Sequence, residues 1–150
     1  MGIIPWSLHA RLEGAFIWRG TLWQWVGGWL CANGLGLAGW CVYLFNVEGQ
    51  GTPLPLDPPK RFVAQGPYLF VRNPMALGFF LLLTGQTALY QSRAILCYLA
   101  AAALLMHLYI RFIEEPELAH RFGSSYRAYQ QQVPRWVPRR ISGAKRRKTR

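Results

Sequence analysis

Charge is missing from three long stretches of this 150-residue chain. The stretches without Asp, Glu, Lys or Arg are residues 21–47, 73–92 and 94–110. A helix needs about 20 apolar residues to cross a bilayer, and runs of this kind approach or exceed that length. A soluble all-α protein with deeply buried helices is the alternative, but its helices would have almost no polar face. We therefore expect an all-α integral membrane protein with three spans. The predicted spans are residues 21–46, 74–90 and 94–112.

Cysteine is also scarce, and the few cysteines argue against a small zinc-binding protein and against a small disulfide-linked protein. The three cysteines, Cys31, Cys41 and Cys97, all lie in predicted spans. Their spacing fits neither a zinc site nor a disulfide framework, so we expect them to pack as small apolar residues. His107 is expected to be structural, and no group of three metal-ligating residues is visible. The sequence thus predicts no metal site.

Acidic residues number only six, against 17 Lys and Arg. Three spans would place the N-terminus and the hairpin tip at 91–93 on one side of the membrane. That side carries three basic residues, and the other side carries the remaining fourteen. Because basic residues concentrate on the cytoplasmic side, we expect the loop 48–73 and the C-terminus to be cytoplasmic.

The segments outside the spans have their own patterns. Apolar residues recur every four positions in residues 1–18, which predicts a short interfacial helix. After the hairpin, residues 113–132 predict amphipathic helix in two pieces, with Pro116 able to begin one and Gly123 able to end it. Residues 1–138 are expected to form a single domain, followed by a disordered basic tail at 139–150.

Two patterns resemble nucleotide or nucleic-acid motifs but favour other interpretations. Residues 34–39 fit the fingerprint GxGxxG, yet no strand precedes them, so we expect them to serve helix packing. Residues 135–150 contain eight Lys or Arg. Without interleaved aromatic residues, such a segment predicts contact with anionic lipid at the membrane surface, and no nucleic acid.

The stretch GPYLFVRNP, residues 66–74, predicts a rigid entry into the second span. Asn73 is a favoured residue for capping a helix, and Pro74 is favoured at the first helical position. The free N–H groups and the positive dipole of a helix start attract a carboxylate or a phosphate. Arg72 adds a full positive charge beside this seat. Plain capping with an arginine that reaches toward the membrane surface is the alternative interpretation.

Antiparallel pairing across the tip at 91–93 brings this helix start opposite the end of the third span. Asn73 is then expected to face residues 112–114, next to the carboxylates Glu114 and Glu115. Acidic residues near a helix C-terminus are disfavoured by the dipole, which indicates a use such as binding ribose hydroxyls or an ammonium group. A ligand with a carboxylate, an amine and a ribose matches both halves of this site, and S-adenosylmethionine fits that description.

The same residues resemble a known family. The motifs are Gly66-Pro67-Tyr68 and Arg72-Asn73-Pro74, then a hairpin, then Glu114-Glu115, Leu118, Phe122-Gly123, Tyr126 and Tyr129. In this order and spacing they resemble the isoprenylcysteine carboxyl methyltransferase and phospholipid methyltransferase superfamily of membrane-embedded enzymes. The resemblance covers about residues 50–138, more than half of the chain.

The resemblance implies S-adenosylmethionine as cofactor, bound between the hairpin and its flanking loops. The implied cofactor contacts, together with Arg72 and Glu115, are Lys60, Arg61, Phe62, Val63, Tyr68, Asn73, Pro74, Met75, Ala76 and Glu114. It also implies a substrate-binding arginine one turn before the glutamate, for which Arg111, displaced by one position, is the candidate. No catalytic residue is assigned.

The predicted function is methyl transfer from S-adenosylmethionine to a lipidic or membrane-dissolved acceptor, such as a prenylcysteine-like molecule. Two features differ from the family: Ala76 stands where relatives usually carry Tyr, and relatives usually have a further span at the N-terminus. Two alternatives remain, and these differences favour the first of them. One is a non-catalytic lipid- or partner-binding protein on the same fold, and the other is an NADPH-dependent membrane reductase.

Overall fold

The structure, a computed structural model, describes residues 17–49 and 63–138, together with Pro5, Ser7, Ala10 and Arg11. All regular elements in these residues are helical, as predicted. In chain order they are helix α1 (Leu22–Val47), a 3₁₀ turn (Gly66–Leu69), helix α2 (Pro74–Tyr90), helix α3 (Arg93–Tyr109), a π-helical turn (Ile110–Glu114) and helix α4 (Glu115–Gln132). Most of the predicted interfacial helix, the loop residues 50–62 and the tail 139–150 lie outside the described residues.

Two helical stretches are long and apolar enough to cross a membrane. They are α1, with 26 residues, and the 40-residue stretch Arg93–Gln132 that begins with α3. Helix α2 is apolar but has only 17 residues. Large apolar side chains on these helices are exposed, including Trp25 and Trp29 on α1 and Leu104 and Leu105 on α3. Exposed apolar faces of this extent favour contact with lipid over contact with water.

Helices α1 and α2 pack in direct backbone contact because glycines face each other across the interface. A Cβ at Gly27 would lie 2.6 Å from the carbonyl oxygen of Gly85, and a Cβ at Gly34 would lie 2.6 Å from that of Gly78. Both distances are shorter than any real Cβ contact, so a larger residue would force the helices apart. The Cys31 thiol adds a contact to the carbonyl of Leu82 at 3.6 Å. The pairs show that α1 and α2 run antiparallel, packed through small residues as membrane helices often are.

The glycine motif of α1 serves this packing only in part. Gly34 lies at the α2 interface, which confirms the expectation of helix packing for this residue. A Cβ at Gly36 or at Gly39 would meet no atom within 4 Å. Only the first glycine of the motif is therefore required by the α1–α2 contact.

The turn between α2 and α3 occurs where the sequence predicts the hairpin tip. Helix α2 ends at Tyr90, and Gln91 adopts a left-handed conformation with φ of 50°. Ser92 then caps α3, because its hydroxyl accepts a hydrogen bond from the Ile95 N–H at 3.1 Å. Ser92 is almost completely buried, with 1% of its surface exposed.

The third helix does not end at residue 112, as the sequence analysis expects. It continues through the π-helical turn into α4, so that residues 93–132 form one helical stretch. Within the turn, the Glu115 N–H donates to the carbonyl of Ile110, five residues earlier. Pro116 lies in the first turn of α4 and has no N–H to donate, and its ring crowds the preceding turn. The wider π spacing accommodates the proline without breaking the helix.

Gly123 interrupts α4 at the predicted position. Its φ of 55° and ψ of −127° are not helical, and they bend the helix at this residue. The helix resumes after the bend and ends at Gln132. The bend directs the second half of α4 back toward the start of α2, where Tyr129 contacts Tyr68.

Candidate functional site

The segment 66–74, named here the joint, turns the chain into α2 through a rigid sequence. Gly66 has φ of 56°, a conformation that favours glycine, and a Cβ there would lie 3.2 Å from the Trp40 ring. In the 3₁₀ turn that follows, the Phe70 N–H donates to the carbonyl of Pro67 at 3.1 Å. The joint thereby fixes where Arg72 and Asn73 stand at the beginning of α2.

Arg72 faces the acidic pair, as the antiparallel register predicts. Its Nη1 lies 2.9 Å from Oε1 of Glu115, and both side chains are largely buried. Ion pairs with so little solvent around them are only weakly screened by salt. The pair fixes the start of α2 to the start of α4.

Glu115 binds a second arginine that lies beyond α4. Arg135 Nε donates to Oε1 at 2.8 Å, and Arg135 Nη2 donates to Oε2 at 2.7 Å, which is a bidentate pair. This bonding raises the pKa of the Arg135 guanidinium. The Gln130 amide lies 3.5 Å from Oε2 as a further donor. Both oxygens of Glu115 are therefore already bound by protein groups, which the sequence analysis does not foresee for a cofactor ligand.

Two tyrosines of α4 complete the surroundings of Arg72. Tyr126 is 2% exposed and is hydrogen-bonded to Arg72. Burial raises the pKa of Tyr126 to about 12, so its hydroxyl stays protonated at neutral pH. The Tyr129 hydroxyl donates to the backbone carbonyl of Tyr68 at 2.7 Å and so links α4 to the joint.

Asn73 is buried but does not cap α2, which corrects the sequence analysis. Its φ of −126° and ψ of 60° lie outside the extended region, and its side chain makes no capping hydrogen bond. A ψ far from the extended value turns the side chain away from the first N–H groups of the helix. Asn73 is 8% exposed, and its Nδ2 has no hydrogen-bond partner among the described residues. A buried amide donor without a partner is costly and rare in folded proteins.

Glu114 differs sharply from its neighbour Glu115. It is partly buried in the last position of the π-helical turn, and no described residue forms a hydrogen bond or an ion pair with its carboxylate. Burial raises the pKa of Glu114, and the negative charges of Glu115 and Glu117 raise it further. Among the described residues, the Glu114 carboxylate is therefore available to receive a cationic or hydroxyl group.

The remaining predicted residues divide between packing positions and exposed ones. Val63 and Tyr68 belong to a buried cluster with Cys41 and Leu44, against which the partly buried Met75 packs. The Tyr68 ring meets the Phe45 ring edge-on at 5.6 Å between centroids. Burial raises the pKa of Tyr68 well above its ordinary range.

Three further positions complete the comparison with the sequence. Pro74 and Ala76, in the first turn of α2, are buried. Arg111 is exposed, with its guanidinium 5.5 Å from the centre of the Phe112 ring. The predicted contacts Lys60, Arg61 and Phe62 lie outside the described residues.

The segment 133–136, named here the strap, folds back onto the hairpin, a contact that the sequence pattern does not predict. The carbonyl of Pro134 accepts a hydrogen bond from the Arg72 N–H at 2.9 Å. Trp136 Nε1 donates to His107 Nδ1 at 2.9 Å, and its ring lies 5.6 Å from that of Phe80. The two prolines that flank Arg135 and Trp136 predict only that the helix ends here. The signal that could have indicated a buried ion pair is the position of Arg135 among apolar residues.

The described residues thus form a bundle of apolar helices with a buried polar cluster at one end. The phospholipid methyltransferase family matches residues 22–125, more than half of the chain. The chain belongs to this family, and the resemblance found in the sequence is confirmed. No curated protein and no solved structure matches the chain.

Proposed function

We propose that this protein transfers a methyl group from S-adenosylmethionine to a lipidic or membrane-dissolved acceptor. Membership of a methyltransferase family supports an enzyme of this kind. The observation that carries the proposal is a pair of polar groups without partners among the described residues: the buried Asn73 amide and the Glu114 carboxylate. Each adjoins one member of the Arg72–Glu115 ion pair, so both lie at the same end of the hairpin.

The chemistry of these groups fits the two ends of a zwitterionic cofactor. The Asn73 Nδ2 and the Arg72 Nε, both buried and without described partners, are donors suited to a carboxylate. Glu114 is an acceptor suited to an ammonium group or to ribose hydroxyls. Once bound, S-adenosylmethionine supplies a methyl group already activated by its sulfonium. The protein's residues then have to hold the reacting groups in line and exclude water.

The choice of acceptor that we propose is supported by what the site can do with protons. His107 is the histidine nearest the strap, but its Nδ1 accepts from Trp136, which places the proton of the neutral ring on Nε2. His107 is therefore not set up as a general base. A carboxylate acceptor requires no base, whereas an amine or thiol would first have to lose a proton. We favour an acidic lipidic acceptor, with the exposed Arg111 available to bind its charge.

The proposed location is a membrane, with three spans and with the joint, the strap and the C-terminus in the cytoplasm. The apolar helices support membrane insertion, and the distribution of basic residues supports the orientation. The cytoplasmic side is also the side where S-adenosylmethionine would be available. The basic tail is proposed to contact anionic lipid.

Calorimetric titration of the detergent-solubilised protein tests the function directly. We expect saturable binding of S-adenosylmethionine and no binding of NADPH. Binding of NADPH alone would support the membrane reductase. Binding of neither ligand would support a non-catalytic protein that retains the fold, and would overturn the proposal.

A further inference from the structure

The strap closes over the polar cluster and is attached to the rest of the protein at several points. Val133 is 2% exposed. Pro134 accepts from the Arg72 N–H, Arg135 binds Glu115, and Trp136 donates to His107. These four consecutive residues connect the end of α4 to the joint and to α3. The strap lies outside the part of the chain that the phospholipid methyltransferase family matches.

Arg72 is held by the strap in two ways. Its backbone N–H donates to Pro134, which fixes the main chain one residue before Asn73. Its side chain shares the Glu115 carboxylate with Arg135, so that Oε1 lies 2.9 Å from Arg72 Nη1 and 2.8 Å from Arg135 Nε. The orientation of one guanidinium therefore depends on the position of the other.

Because its contact is bidentate, Arg135 orients the Glu115 carboxylate as well as neutralising its charge. Its planar fork contacts both oxygens of Glu115 at once and thereby sets the rotation of the carboxylate. A lysine would supply the charge but only a single point of contact. Rotation of the carboxylate would move the oxygen that Arg72 binds, and with it the Arg72 Nε that has no described partner.

From these contacts we propose that Arg135 is a positioning residue for the cofactor site, acting through Glu115 to orient Arg72 and through the strap to place Asn73. This role rests on the proposed function. Arg135 does not itself touch the cofactor in this scheme. The alternative is that the strap only staples the C-terminal end of α4 to the hairpin.

Three variants separate the two roles: Arg135→Lys, Arg135→Gln and, as a matched control, Arg127→Gln. Arg127 is an exposed arginine on α4 and lies in none of the contacts described above. Each purified protein is measured for unfolding temperature, for hydrogen exchange of the joint, and for S-adenosylmethionine binding by calorimetry. We expect Arg135→Gln to speed the exchange of the Arg72 amide, because the bond to Pro134 opens more often.

Positioning predicts a specific combination of results. Arg135→Lys should unfold within a few degrees of the wild type yet bind S-adenosylmethionine roughly five- to a hundredfold more weakly, as expected for coupling between sites. Arg127→Gln should match the wild type in all three measurements. A folded Arg135→Lys protein with wild-type affinity would overturn the positioning role and leave the proposed function intact. No binding by the wild type itself would overturn the proposed function, and the positioning role with it.

Discussion

Arg72 and Glu115 lie 43 positions apart in the sequence, yet their side chains meet at 2.9 Å in a largely buried ion pair.

 The 42 residues between them form α2, α3 and the π-helical turn, so the pair closes the hairpin at its open end. Arg135 completes the cluster from the strap. A single carboxylate thus joins three segments of the chain.

Replacing Glu115 by Gln should destabilise the protein strongly. The change leaves two guanidinium groups without their shared anion, and removing one partner of a buried ion pair costs about 3–5 kcal/mol. We expect a clear fall in unfolding temperature in detergent, measured by calorimetry or circular dichroism. Glu117→Gln is the control, because Glu117 is exposed and should tolerate the change. Equal unfolding temperatures for the Glu115 variant and the wild type would contradict the structural role of the cluster.

Replacing Glu114 by Gln should have the opposite effect on stability and a large effect on binding. The pKa of Glu114 is raised, so its ionised form is disfavoured in the folded protein, and Gln removes that cost at neutral pH. A charge-assisted hydrogen bond contributes about 1.5–3 kcal/mol, so affinity for S-adenosylmethionine should fall roughly ten- to a hundredfold. Thermal unfolding and calorimetry on the same samples check both effects. An unchanged affinity would remove Glu114 from the site.

The same shift gives the binding a pH dependence with a definite sign. Because the folded-state pKa of Glu114 is raised, its contribution to stability is present at low pH and is lost as the pH rises through that pKa. Ligand binding depends on the ionised form and therefore has the reverse trend. Affinity should weaken on acidification, starting above the ordinary titration range of a glutamate, and this weakening should be absent in Glu114→Gln.

Asn73→Leu should weaken cofactor binding without lowering the unfolding temperature. The Asn73 side chain makes no capping bond, and its buried Nδ2 has no partner among the described residues, so an apolar replacement removes an unsatisfied donor. Calorimetric titration and thermal unfolding of the variant test the two parts. A loss of stability with normal binding would mean that Asn73 serves the fold and not the ligand.

Alanine substitutions in α1 should separate the glycines that contact α2 from those that do not. Gly34→Ala places a Cβ 2.6 Å from a backbone oxygen and should destabilise the protein by about 1–3 kcal/mol, as overpacking does. Gly36→Ala meets no atom within 4 Å and should be neutral or stabilising, because Ala favours helix more than Gly by about 1 kcal/mol. Chemical or thermal unfolding in matched detergent compares the two. Similar effects at both positions would contradict the α1–α2 interface.

The orientation in the membrane can be tested with accessible tags. Tags after residue 150 and within 48–60 should be labelled from the cytoplasm, and a tag at 91–93 from the opposite side. The reason is the asymmetry of fourteen basic residues against three. Labelling of the hairpin tip from the cytoplasm would reverse the proposed orientation and move the site to the other face.

The sequence predicts the helices and the meeting of Arg72 with the acidic pair because both depend on regular geometry. Uncharged runs set the bounds of α2, and antiparallel pairing about the tip sets the register. Which of two adjacent carboxylates faces Arg72 depends on the π-helical turn, which changes the rotation of the helix just before Glu115. A register derived from regular α-helical spacing cannot predict this change in rotation.

The missing cap on α2 and the position of the strap could not be predicted from the sequence for a different reason. Asn73 before Pro74 favours a cap by local preference, but tertiary contacts fix the backbone otherwise: the neighbouring Arg72 N–H is bound by Pro134. The strap lies far from the joint along the chain, and its proline-rich composition indicates only where α4 ends. Contacts between such distant irregular segments have no periodic pattern from which they could be read.

The glycine contacts between α1 and α2 also determine which part of the protein is free to move. Interlocked backbones leave no room for one helix to slide or tilt against the other, so α1 and α2 form a single rigid wall. Helix α3 contacts α2 much less extensively and is bounded by the left-handed Gln91 at one end and by the π-helical turn at the other. For the proposed lipidic acceptor, we therefore expect a tail to enter between the helices by movement of α3 about the two irregular turns at its ends.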